Sequence, residues 1–275
     1  MCRMSEQQAR YDRIAEGYAT WWSPVHRQAT LRLLDEADDE VAAGARRILD
    51  VGCGTGAMAV AAAARWSPAD VDGVDASDGM LAIARRELVA CPEPVRARVR
   101  YAQGYADRLP FDDGTFDVVL SAFVLQLVPS RPRALREMRR VLRPGGRLAF
   151  VRWLPGTATL GADAAYDEAL VAAGLEPRDP GNDHPDLVSP EAAIAQLRHA
   201  GFRGVTARTD RLEHTFTPEG FVGFITRFDD EDLFATMDQA ARADLEADLL
   251  QRLRALPKDG LRLELPIVYA SGRRG

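Results

Sequence analysis

The stretch ILDVGCGTG, Ile48 to Gly56, decides how this chain is read. Ile48, Leu49 and Val51 make a short apolar run that stops at glycines on alternate positions, Gly52, Gly54 and Gly56. The segment after it, AMAVAAAARW (Ala57 to Trp66), has helical composition, so the whole is a strand–loop–helix unit. Glycine permits positive φ and has no Cβ to hold a ligand away from the backbone. A helix starting there aims unpaired N–H groups and its positive dipole end into the same crevice.

Dinucleotide enzymes use a similar loop, and Gly52, Gly54 and Ala57 satisfy their permissive spacing. The neighbours of the loop sharpen the reading. Asp50 immediately precedes the turn, and Asp75 closes the next apolar strand, VDGVD (Val71 to Asp75), where it could hold the two hydroxyls of a ribose. Further on come YADRLPFDDGTFDVVLS (Tyr105 to Ser121) and VLRPGGRLAFV (Val141 to Val151). With these residues the chain resembles the class I S-adenosylmethionine-dependent methyltransferases, within them the small-molecule branch that includes the ubiquinone/menaquinone biosynthesis methyltransferases. The resemblance is specific from about Arg46 to Val151, weaker at Tyr11 to Trp22 and faint from Gly201 onward.

The pattern of elements agrees with an α/β fold. Strands are predicted at Arg46–Val51, Val71–Asp75, Val99–Gln103, Phe116–Ser121 and Arg147–Val151, with helices at Ala57–Trp66, Ser77–Val89 and Arg131–Leu142. This alternation implies a mostly parallel sheet covered on both faces. Pro144, Gly145 and Gly146 end the last of these helices. Helices at Ala162–Ala173 and Pro190–Ala200, strands at Phe202–Thr209 and Leu261–Ala270, and a helical pair at Pro218–Phe228 and Glu231–Ala255 complete the chain. The resemblance implies a doubly wound, Rossmann-like, seven-stranded methyltransferase sheet with a C-terminal antiparallel hairpin and helical lid segments. One domain is expected over residues 1–275: a lid over about 1–40, a core over about 46–152, and cap segments over about 153–188 and 217–258.

The same resemblance assigns site residues. Gly52, Gly54 and Gly56, with Asp50 and the small Cys53 between them, are expected along the amino-acid and ribose parts of S-adenosylmethionine. Asp75 is expected on the ribose diol, and Ala76 and Met80 beside the adenine. In the family the third strand's loop often reads Gly–Asp–Ala; here it reads Gly104, Tyr105, Ala106, with an acid two positions later at Asp107. Backbone groups of Tyr105 and Ala106, assisted by Asp107, are therefore expected to read the adenine edge. Ser121, Ala122 and Phe123 fall at the expected sulfonium position. Tyr11 and Tyr18 match the family's Tyr–Asp…Ala…Tyr lid pattern and are expected at the site, whereas Trp21 and Trp22 are read as packing. No Asn-Pro-Pro-aromatic motif follows the fourth strand, which disfavours the DNA amino-methylating branch.

A base is needed only where the acceptor must lose a proton. Among the four histidines, His26 in the lid and His184 in the loop Glu176–Asp186 are the candidates; His199, near a helix end, reads as a surface residue. The acidic run Asp229–Asp232 reads as a solvated helix start. No His/Cys/acid cluster has metal-ligand spacing, and Cys2, Cys53 and Cys91 give no disulfide framework. A net charge of −6, with basic residues scattered among acids, argues against nucleic acid as partner. MCRMSEQQAR lacks the apolar core of a signal peptide, and the longest nearly uncharged run, Val118–Ser130, is too short to span a bilayer. The expectation is a soluble, cytoplasmic enzyme that methylates a small, compact or lipophilic acceptor, with the O, N or C atom and the oligomeric state left open. The alternatives are an NAD(P)-dependent oxidoreductase and a cofactor-binding relative that has lost catalysis.

Overall fold

The computed structural model describes residues 3–155, 160–178 and 189–275, with side chains from residue 7. The chain begins with α1 (Arg3–Gly17), a π-helical turn (Tyr18–Trp22), α2 (Ser23–Arg32), a 3-10 turn (Leu33–Ala37) and α3 (Asp38–Ala42). The core follows as β1 (Arg47–Val51), α4 (Ala57–Arg65), β2 (Asp70–Asp75), α5 (Asp78–Val89), α6 (Glu93–Arg96), β3 (Val99–Gln103), β4 (Phe116–Ala122), α7 (Arg131–Val141) and β5 (Leu142–Trp153). Then come α8 (Gly161–Ala172), α9 (Pro190–His199), β6 (Phe202–Thr215), α10 (Pro218–Phe224), α11 (Glu231–Thr236), α12 (Gln239–Ala255) and β7 (Arg262–Arg274).

Among the described residues seven strands form one sheet in the order β3-β2-β1-β4-β5-β7-β6. The first five pair in parallel, and β7 runs antiparallel to both β5 and β6. Successive side chains along each strand serve opposite layers, as the pleat requires. Ile48, Val118, Leu120, Ala149 and Val151 face one side, where α4, the N-terminal segments and the cap helices α8, α10 and α12 cover them. Leu49, Val51, Val119, Leu148 and Phe150 face the other, against Leu135, Met138 and Val141 of α7 and Leu197 of α9. Double coverage is why these strands read as unbroken apolar runs rather than alternating ones.

Several boundaries differ from the sequence reading, each for a local reason. Within the lid expected over about 1–40, the helix is renewed at Pro24, which falls in the first turn of α2, where a missing N–H costs nothing. The strand after α7 pairs already at Leu142, loops out at Pro144–Gly146 with Gly145 at φ +78°, and re-registers at Arg147 opposite Val118. The predicted helix Glu231–Ala255 breaks, and Asp238 caps the second piece through the N–H groups of Ala240 and Ala241. β6 runs on to Thr215 because β7 pairs with it along its length. Its charged edge, with Arg208 stacked 4.0 Å over the Tyr269 ring, blunts further strand pairing.

Asp117, at the start of β4, fixes the entry of β1. Its Oδ2 accepts the backbone N–H groups of Arg46 (2.6 Å) and Arg47 (2.9 Å), and its Oδ1 lies 2.7 Å from the Arg143 guanidinium. Asp117→Ala orphans two donors and is expected to cost about 2–3 kcal/mol. Asp117→Asn keeps an acceptor and loses only a half-exposed ion pair, so it should cost about 1 kcal/mol or less. Urea unfolding midpoints check the ranking, and equal losses would contradict it.

Candidate functional site

The crevice opens at the carboxyl ends of β1, β2 and β4, beside the point where strand order reverses. Its floor is the loop after β1. The N–H groups of Gly52 and Cys53 both reach the Val74 carbonyl (2.7 and 3.0 Å), and the Gly54 N–H donates to Asp75 Oδ2 at 2.9 Å. Asp75 Oδ1 accepts the Ser77 N–H, also at 2.9 Å. Each carboxylate oxygen is thus held by one backbone donor and keeps a free lone pair for a further hydroxyl. Burial pushes the Asp75 carboxyl above the usual range, and those N–H bonds pull it back.

The three loop glycines, all at positive φ, serve different ends. A Cβ on Gly52 would meet Val124 at 2.2 Å, and one on Gly56 would meet the Tyr101 hydroxyl at 2.2 Å. A Cβ on Gly54 would point into open space, with Tyr18 Cε1 no nearer than 4.0 Å. Only Gly54 therefore leaves room that a ligand, rather than the protein, can use.

Tyr11, Tyr18, Gly52, Gly54, Asp75, Ala76, Met80, Tyr105, Ala106 and Ala122 line one cavity. Cys53 and Gly56 lie beneath its floor; Cys53 is buried and abuts Gly73. Asp107 faces away from the cavity, its carboxylate 3.9 Å from Arg133 on α7. Tyr105 turns its hydroxyl to Gln8 Oε1 of the lid (2.8 Å). Asp50 is buried behind the loop, and neither of its oxygens has a hydrogen-bond partner among the described residues. Burial, with a smaller push from Asp75, raises its carboxyl to about 8; the Ala59 N–H, too poorly placed to count as a bond, opposes this weakly.

The lid is tied over this floor by polar contacts. Asp12 Oδ1 accepts the Ser77 hydroxyl (2.6 Å) and the Gly79 N–H (3.0 Å) at the start of α5. Arg10 and Arg13 reach Glu231 and Asp232 at the start of α11. The acidic run read as a solvated helix start is therefore partly a lid contact.

The farther half of the cavity is aromatic. Trp22, Phe123 and Trp153 line it with Leu127, Val128 and Pro129. Phe123 stacks on Trp153 at 4.2 Å and takes φ +56°, a conformation that is uncommon for a bulky residue. Trp22 stacks on Phe224 and Phe228 of the cap (5.3 and 5.5 Å), while Trp21 packs against Gly223. The reading of Trp21 as packing holds, but Trp22 is also cavity wall. Among the described residues that line the cavity, Asp75 carries the only charge and none is Lys or Arg.

Of the two predicted bases, His184 lies outside the described residues. His26 is buried and stands behind the wall rather than in it: its Nε2 is 2.8 Å from the Tyr18 hydroxyl and its Nδ1 is 3.0 Å from Thr30 Oγ1. His199 is exposed on the last turn of α9. Among the described residues no group of three His, Cys, Asp or Glu side chains is placed to hold a metal, and no helix is long and apolar enough to cross a membrane.

The strand order, the antiparallel seventh strand and the glycine loop at the switch point define the core as that of a class I methyltransferase fold. Comparison with known proteins agrees: residues 49–150 match the family described as "Methyltransferase domain". The demethylmenaquinone methyltransferase of Symbiobacterium thermophilum is 39% identical over 50% of this chain and 55% of its own length. The chain spans about half the length of such relatives. The nocamycin O-methyltransferase of Saccharothrix syringae is 29% identical over 96% of both chains. Among solved structures, a phosphoethanolamine N-methyltransferase of Haemonchus contortus in complex with S-adenosyl-L-methionine superposes with a TM-score of 0.57 at 20% identity, covering all of this chain and 61% of that one. The chain thus resembles the S-adenosylmethionine-dependent methyltransferases, the quinone-biosynthesis branch among them, as ILDVGCGTG and its neighbours imply.

Two outcomes follow from the geometry. Gly54→Ala places a Cβ in open cavity at a φ alanine resists, so it should cost about 1 kcal/mol of stability yet weaken binding of S-adenosylhomocysteine at least tenfold by calorimetry. Asp50 holds its proton in the folded protein up to about pH 8, whereas in the unfolded chain it releases it near 3.8. The folded state therefore binds more protons between these values, and stability falls as pH rises through that window. Relative to Asp50→Asn, the ligand-free wild type should lose on the order of 4 kcal/mol between pH 4 and 8. Parallel urea-midpoint curves for the two proteins would refute this.

Proposed function

We propose that this protein transfers a methyl group from S-adenosylmethionine to a small, uncharged, largely flat acceptor. The observation that carries the reading is a single cavity that joins the Gly54–Asp75 floor to a chamber walled by Trp22, Phe123 and Trp153. The residues present fit the methyl donor. Asp75 has free lone pairs for a ribose diol, and Ala76 and Met80 give apolar surface for an adenine beside the start of α5. The unpartnered, buried Asp50 suits an ammonium group, which would return it to its charged form. When bound, S-adenosylmethionine supplies a methyl group already activated by its sulfonium.

What remains for the protein is alignment and exclusion of water. The lid contacts of Asp12, Arg10 and Arg13 hold Tyr11 and Tyr18 against the floor. The stacked aromatics offer an acceptor a rigid, apolar face. Among the described lining residues none is basic, so an uncharged acceptor suits this wall better than a carboxylate or phosphate. The names of the nocamycin O-methyltransferase and the demethylmenaquinone methyltransferases support a small-molecule acceptor.

Thermal unfolding with S-adenosylmethionine, S-adenosylhomocysteine and NADH tests the donor. The first two at 100 times Kd should stabilise by about 2.7 kcal/mol, several degrees in Tm, and NADH should do nothing. Methyl-labelled donor offered with hydroxyaromatic, enolic and amine acceptors then tests transfer. A shift with NADH alone, or stabilisation by the donor with no labelled product, would turn the reading to an oxidoreductase or to a non-catalytic relative.

A further inference from the structure

Among the described residues that line the cavity, Tyr18 is the one whose hydroxyl has a histidine behind it. Its hydroxyl meets His26 Nε2 at 2.8 Å, and the far side of the ring, Nδ1, meets Thr30 Oγ1 at 3.0 Å. Thr30 Oγ1 can accept from a protonated Nδ1, and in that tautomer Nε2 is bare and takes the Tyr18 O–H. Tyr18 then presents to the cavity only lone pairs. Resting on the methyl-transfer reading, we propose that Tyr18 is the proton acceptor for the substrate, with His26 positioning it and receiving the proton it passes on.

The step balances. The acceptor's O–H or N–H bond breaks, its electron pair stays on the acceptor atom for attack on the methyl carbon, and the proton bonds to Tyr18 Oη. The original Tyr18 proton moves to His26 Nε2, leaving an imidazolium. That imidazolium replaces the one positive charge that methyl transfer removes from the site, so the number of buried charges does not change. Burial holds His26 down at about 4 in the empty protein, and the proton is returned through Tyr18 once product leaves. Among the described residues no carboxylate or cation acts on the imidazole: its neighbours are the rings of Tyr18, Trp22 and Phe123 (5.6, 5.9 and 5.3 Å) and the Thr30 hydroxyl. Tyr11, Asp75 and Asp50 act on Tyr18, and all three, with burial, keep it from ionising, so it works by passing a proton on rather than by standing as a phenolate.

The test uses the whole protein. Nitrogen-15 spectra of the imidazole should show the Nδ1–H neutral tautomer from pH 5.5 to 8, and Tyr18→Phe should shift Nε2 alone; a ring protonated on Nε2 at pH 7 overturns the proposal whether or not an acceptor is known. With the acceptor found in the labelled-methyl assay, Tyr18→Phe should lower kcat on the order of 100-fold, and S-adenosylhomocysteine affinity should stay within about twofold. The loss should shrink as assay pH approaches the acceptor's own pKa, because a deprotonated acceptor needs no base. A loss equal at every pH, or one tracked by cofactor affinity, makes Tyr18 structural and sinks the proposal. Failure of all methyl transfer would instead sink the proposed function, leaving the tautomer result to stand or fall alone.

Discussion

The turn after β1 depends on a hand-off of hydrogen bonds to β2. Gly52 and Cys53 give their N–H groups to Val74, and Gly54 gives its own to the Asp75 carboxylate. This tethers the loop to the tip of the neighbouring strand and leaves α4 starting at Ala57 with Gly56 in the left-handed region. The arrangement needs positive φ at three alternate residues, which only glycine supplies cheaply. Asp75 is thereby fixed as part of the backbone frame before any ligand arrives, and a preorganised carboxylate loses little on binding.

The frame also explains the strained charge chemistry beneath it. Asp50 is carried into the sheet by β1, between strands buried on both faces, and the loop that seals it gives it no donor. A carboxyl so placed stays protonated or waits for a cation. A partner of opposite charge would then convert a liability of folding into affinity.

Much of the frame was legible in the sequence because parallel strands covered on both sides announce themselves as apolar runs ended by glycine or acid. Arg46–Val51, Val71–Asp75 and Phe116–Ser121 were placed to within a residue or two. The acceptor half was not legible, for physical reasons. Its wall is assembled from the lid, the loop after β4 and the end of β5, and its second layer from the cap at Phe224 and Phe228. No spacing rule links Trp22 to Trp153. Trp22 in isolation has the signature of core packing, and it does pack. Asp12 could have been suspected from its place beside Tyr11, but its docking onto the start of α5 is a tertiary fact. Asp107 lies off the cavity wall, its carboxylate 3.9 Å from Arg133 on α7, a tertiary contact that no sequence spacing announces.

The division between the two halves has a consequence for specificity. Residues 49–150, where the family match lies, contain the glycine loop, Asp75 and the end of β3 on the floor half of the cavity, and of the aromatic half only Phe123 and the loop at Leu127, Val128 and Pro129. Trp22, Tyr18, Trp153 and the cap lie outside it. A donor common to many reactions can be held by a constant frame, while the acceptor is met by segments free to vary in length and sequence. The aromatic wall couples these segments: Trp22 of the lid stacks on Phe224 and Phe228 of the cap, and Phe123 of the core stacks on Trp153. Trp22 is thus at once a wall of the chamber and a layer of the cap's packing, and displacing it would remove both together.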